Sequence, residues 1–208
     1  MIPRGKGIEH HVPGRDPWLN RMVDLTVQHV CPDCNHHWMS DIETQARDLA
    51  LPLIEGDETP RVFTAKEQER LATWCFLKAV TLELGRPAHE AATHPSEMYT
   101  GLKRFRKPPN GSLVTVGLRD IPEDPPIFIW FKSEGQNHPL PPVGEIGGYR
   151  TALTINHLVI DIVGIFAAVP LQMEDPDNRA LQIWPVETVP LNWPPPVRFK
   201  GIVNNDLV

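Results

Sequence analysis

The chain has 208 residues, 41% hydrophobic and 22% charged, ordinary globular usage that excludes wholesale disorder and gives enough length to bury a core without disulfide staples. Its formal net charge of −6 opposes general attraction to nucleic acid or anionic membrane, so any nucleic-acid site must be a local patch. Proline is the departure, with 23 residues against a usual share of ~5%, which restricts helices and favours short strands and extended loops.

Residues 1–39 carry histidines and cysteines without helical periodicity and read as a finger-like segment that metal or loops must order. Ser40-Asp41-Ile42-Glu43 has the form of a capping box, and Ile42, Ala46, Leu49 and Leu53 continue it as a helix that ends near Ile54 to Gly56. A second box, Thr64-Ala65-Lys66-Glu67, opens a longer helix through Leu71, Trp74, Cys75 and Leu82 to Gly85, with Pro87 just beyond. A third, shorter helix is expected from Ser96 to Lys107, stopped by Pro108-Pro109. These three make a helical region over 40–109.

After Asn110-Gly111 the period turns strand-like, in Leu113–Val116, Ile127–Phe131, Ala152–Ile155, Leu158–Val163 and Leu181–Trp184. Asn156-His157 reads as a tight hairpin turn that leaves Val159 and Asp161 on one face. Residues 110–208 are therefore expected to form a β-rich half that ends, from Pro185 onward, in a proline-rich strap. The fold class expected is α+β: an N-terminal treble-clef or ββα-metal finger, a helical middle and an antiparallel C-terminal sheet, together expected to form one compact unit. The longest apolar run, Leu153 to Pro170, is broken by Asn156, His157 and Asp161, so no membrane span is expected. Three cysteines are a poor disulfide set and no signal-peptide pattern precedes them, which predicts a cytoplasmic protein.

Cys31-Pro32-Asp33-Cys34 places two thiolates on one turn, which is half of a tetrahedral zinc site. Cys75 lies mid-helix on an apolar stripe and reads as an inert buried thiol. The remaining metal ligands would come from His10, His11, His29, His36 and His37. Without metal, the same residues read as two inert thiols and solvated histidines in a surface turn. Upstream, Glu9-His10-His11-Val12-Pro13 supplies the residue types a metal-assisted nuclease uses: a histidine to take a proton from water and an acid to hold a divalent ion.

Together with Cys34-Asn35-x-x-Trp38-Met39-Ser40-x-Ile42-Glu43 and the later Leu71-Ala72-Thr73-Trp74 and Lys78, these motifs resemble the bacterial and phage proteins described as HNH-endonuclease-like. The resemblance implies that His10 is the general base, with His11 its rival in register, that Glu9 is a metal ligand or orienter, and that Asn35 stands where many such fingers carry a metal-binding histidine. It implies structural zinc, magnesium or manganese if the enzyme is active, DNA as the partner, and a bacterial or phage origin. The family's earlier Cys-x-x-Cys pair is replaced here by Gly5-Lys6-Gly7-Ile8, which leaves zinc two thiolates short.

Lys103-Arg104-Phe105-Arg106-Lys107 is the local positive patch, suited to phosphates with Phe105 to stack, or else a solvated helix end where cations meet the dipole. Trp74 and Lys78, one turn apart, read as core packing with a snorkelling lysine. Asp161 is a metal or base candidate only if its face points at the finger, and otherwise faces solvent. The rival to a nuclease is a noncatalytic interaction or structural protein, whose finger staples a proline-rich chain to a protein partner or to a second copy. No organic cofactor is expected.

Overall fold

The computed structural model describes residues 8–10, 18–20, 30–84, 93–120, 129–140, 144–166, 177–186 and 190–200, the first two stretches and residues 130, 136–140 and 144–145 by backbone alone. Strands β1 (Ile8–His10) and β2 (Trp18–Asn20) pair antiparallel, with Glu9 opposite Leu19 and His10 opposite Trp18. Then come α1 (Pro32–Cys34), a π-helical turn (Asn35–Met39), α2 (Ser40–Glu55), β3 (Arg61–Phe63), α3 (Ala65–Glu83) and α4 (Ser96–Phe105). The second half holds β4 (Ser112–Asp120), β5 (Ile129–Leu140), β6 (Gly144–Ile155), β7 (Leu158–Ile165), β8 (Ala180–Trp184), β9 (Leu191–Trp193) and β10 (Phe199–Lys200). This is a mixed helix and sheet protein of the α+β class, and among the described residues no helix is long and apolar enough to cross a membrane.

Helix α3 starts as its sequence dictates. The Thr64 hydroxyl caps the Glu67 amide at 3.3 Å and the Glu67 carboxylate accepts from the Thr64 amide at 2.8 Å, so two orphan donors are satisfied reciprocally. Downstream, Leu71, Ala72, Trp74, Cys75, Phe76, Leu77, Ala79 and Val80 are all buried, more than one apolar stripe, because α3 is covered by α2 and by β4 and β8 of the sheet. Trp74 is in the core and the Lys78 ammonium lies 5.9 Å from its ring centroid while pairing with Glu43, as the snorkelling reading expects.

Helix α2 ends at Gly56, whose φ of +81° favours glycine, and whose missing Cβ leaves room for the His157 ring 2.8 Å from where that atom would lie. His157 belongs to the expected Asn156-His157 turn, where Asn156 adopts φ +49° and β6 passes to β7 with Ile155 opposite Leu158. The sheet runs β10-β4-β7-β6-β5, with β8 also paired to β4. All its pairings are antiparallel except β10 with β4. Strand β4 is buried along almost its whole length, which explains why its side chains show no alternation of polar and apolar character.

The strap folds back on its own protein. Strand β9 pairs with β3, and the buried Trp193 donates its indole N–H to the Asp57 carbonyl at 2.7 Å and meets Phe63 edge-on. Beyond it, Arg198 bonds Asp120 at 3.0 Å and also pairs with Glu58.

Two expectations change. Ser40 is not a helix cap: Met39 already has helical angles and makes no side-chain cap bond. The helical stretch begins at Pro32, where Cys31 is extended and its sulfur accepts the Cys34 amide at 3.2 Å, so 32–39 of the finger-like segment are helical. Proline at the first helical position needs no amide partner, and the π-helical turn carries the chain into α2. Asp161 neither faces open solvent nor stands free for a metal, because its two carboxylate oxygens each take a 3.1 Å bond from Arg150.

Candidate functional site

The cysteine turn sits on the surface at the helical start. Cys31 is exposed and Cys34 half-buried, and both are free thiols. The neighbouring Cys31 thiol, then the Trp38 indole, hold the Cys34 thiol below the ordinary thiol range against the opposing effect of burial, and the charge of Lys103 adds to this. The Lys103 ammonium lies 3.9 Å from the Cys34 sulfur. A thiolate is the form that ligates metal, so this pair fits one side of a zinc centre. Cys75, by contrast, is fully buried and burial pushes its thiol up, consistent with an inert core role.

Asn35, His36 and His37 follow on the π-helical turn and are exposed. His37 is engaged with Asp33, one turn back, at 3.1 Å. Among the described residues no three His, Cys, Asp or Glu side chains come together. Glu9 and His10 lie on β1, where the backbone alone is described, and His11 and His29 fall outside the described residues.

The basic run shares this surface. Helix α4 ends on Arg106, whose φ of +54° is left-handed, a conformation that costs a non-glycine residue about 1 kcal/mol. The turn is held because the Arg106 amide bonds the Leu102 carbonyl at 3.0 Å and the Arg106 carbonyl accepts from Thr73 at 3.1 Å. The guanidinium of Arg106 lies 4.9 Å from the Trp38 ring centroid, and that of Arg104 lies 5.1 Å from the ring of Phe105. Among the described residues, Lys103, Arg104, Arg106 and Lys107 form no ion pair with a carboxylate.

A second polar constellation was not read from the motifs. The Glu83 carboxylate at the end of α3 bonds His94 Nδ1 at 2.5 Å, accepts the His94 amide at 3.1 Å and the Tyr99 hydroxyl at 3.2 Å, and also accepts the Thr93 amide. Burial alone would raise its carboxyl, but the hydrogen bond and charge of His94 and the bonds from Thr93 outweigh this and hold it at about 2. His94 Nε2 stands 3.4 Å from the Thr151 hydroxyl, which bonds Ser133 at 2.8 Å. Acid, imidazole and hydroxyl are in the order of a nucleophilic triad. Thr151 is nonetheless fully buried and Ser133 nearly so, so the constellation acts as a clamp between α3, the approach to α4 and the sheet. Its one sequence signal is an acid in the last turn of an apolar helix, where the dipole disfavours it unless a cation answers.

Comparisons with family models, with curated proteins and with solved structures found no match. The cysteine turn and the cationic turn beside it are thus read from their own chemistry.

Proposed function

We propose that this is an HNH-like, zinc-binding protein that binds DNA, with Cys31 and Cys34 as two zinc ligands and the others drawn from His10, His11, His29, His36 and His37. The observation that carries it is the contact of Lys103 with Cys34 and of Arg106 with Trp38, which joins a cysteine pair and a run of cations without carboxylate partners among the described residues on one surface. The order of a β-hairpin followed by Cys-x-x-Cys at a helix start also supports the finger reading. Bound zinc would supply a cross-link between the N-terminal segment and the helical start. If the protein cleaves DNA, His10, or His11 in the other register, takes the proton from water, Glu9 and Asn35 hold the divalent magnesium or manganese, and Lys103 and its neighbours hold the strand.

The second reading is a noncatalytic interaction protein whose finger is a staple, favoured by the net charge of −6 and by an asparagine at position 35. Its use of the proline-rich strap for a partner is weakened, since β9 and β10 are already paired within the chain.

Elemental analysis of protein purified without added metal tests the proposal, with Cys31→Ala/Cys34→Ala as control. Near-stoichiometric zinc, lost in the control, is expected. Its absence would overturn the finger. A magnesium- or manganese-dependent plasmid-nicking assay then separates cleavage from binding, and His10→Ala should abolish nicking while the fold is kept.

A further inference from the structure

The end of α4 differs from the rest of this acidic protein. Four cations in five residues are exposed, and between them stands Phe105, 57% exposed, the most open of the large apolar side chains among the described residues. Phe105 adds nothing to the core, and Arg104 is held against its ring. The neighbouring Arg106 occupies a left-handed position that glycine would fill without strain. A strained residue whose side chain lies on an aromatic ring at the surface points to use rather than to folding.

We propose that the turn over 103–107 is a binding site for an unpaired DNA strand, in which Lys103, Arg104, Arg106 and Lys107 meet phosphates and Phe105 stacks on a base. The inference rests on the DNA-binding reading and adds the form of the nucleic acid and the residues that meet it. A duplex offers phosphates to the cations but keeps its base faces stacked, so it leaves Phe105 without a partner. An unpaired strand satisfies both features, since every base has a face to stack and aromatic stacking needs no particular sequence. The Trp38 ring beneath Arg106 keeps that guanidinium on the same surface as Lys103.

Fluorescence anisotropy with the full chain, a labelled oligothymidylate and a duplex of the same length provides the test. The oligothymidylate should bind more tightly, with log K falling against log salt at a slope of about −3 if four phosphates are contacted. Phe105→Ala should weaken oligothymidylate binding about 10-fold and leave duplex binding nearly unchanged, because only the stacked base is lost. Arg106→Gly serves as the control for folding: it relieves the left-handed backbone, so the melting temperature should hold or rise while oligothymidylate binding falls.

Equal binding of duplex and single strand, or an unaltered affinity in Phe105→Ala, would overturn the stacking assignment. Displacement of oligothymidylate by poly-glutamate at matched charge would overturn it in favour of an acidic protein partner. If neither DNA binds the wild type, the DNA reading itself fails. If DNA binds and no α4 variant changes it, that reading stands and the assignment to this turn is wrong.

Discussion

Replacing Glu83 with glutamine isolates the charge of the buried clamp while keeping its shape. The carboxyl falls from an ordinary 4.5 to about 2 in the folded protein. At 1.36 kcal/mol per unit, this corresponds to about 3 kcal/mol of stability. Because the folded value is the lower one, the contribution is complete above pH 4.5 and fades as pH falls toward 2. About half of it should remain at pH 3. Glu83→Gln should therefore be destabilised by about 3 kcal/mol at neutral pH. Urea unfolding followed by tryptophan fluorescence at pH 7 and pH 3, on wild type and variant, measures both gaps. Asp57 and Glu67 also have lowered carboxyls, but they are present in both proteins and cancel in the difference. A gap of the same size at the two pH values would refute the ionised-carboxylate account and leave Glu83 as a neutral hydrogen-bonding group.

Four further outcomes are expected. Thr64→Ala removes the hydroxyl half of the α3 capping box, leaving the backbone amide of residue 64 on the Glu67 carboxylate, and should cost about 1 kcal/mol, read from a thermal melt by circular dichroism. Gly164→Ala would place a Cβ 2.1 Å from the Tyr149 ring, which is buried and bonded to Ser112, and should lose about 1–3 kcal/mol. Gly101→Ala, inside α4 with nothing within 4 Å of the new atom, should gain up to about 1 kcal/mol in the same urea assay. Trp193→Phe keeps the ring but orphans the Asp57 carbonyl, at a cost of about 1–3 kcal/mol, and should expose β3 and β9 to limited proteolysis.

What was legible in the chain follows the range of the interactions. Thr64 and Glu67, three residues apart, announce α3, and Asn156-His157 announces its hairpin, because each signal is local and each partner lies within a turn. The start at Cys31 was hidden, since a thiol is an unusual cap and the histidines after it mask the helical period. The left-handed stop at Arg106 was hidden as well, because arginine carries none of the freedom that marks glycine. At the site, Cys31 and Cys34 declare themselves by spacing, whereas the approach of Lys103 to Cys34 joins positions 69 residues apart. Glu83 and His94 are a closer pair, yet nothing in their spacing shows that the chain turns back between them.

The seating of Trp193 on Asp57, 136 residues earlier, has a consequence for how the protein is made. Residues 57–63 leave the ribosome long before the segment that covers Phe63 has been translated. Until then that apolar edge stays open to water and to whatever chaperone meets it. Contacts this distant also raise the loop-closure cost of folding and slow it. That edge is therefore closed late in synthesis: nascent chains halted before residue 193 should be retained by holdase chaperones, while those in which Trp193 has emerged should be released.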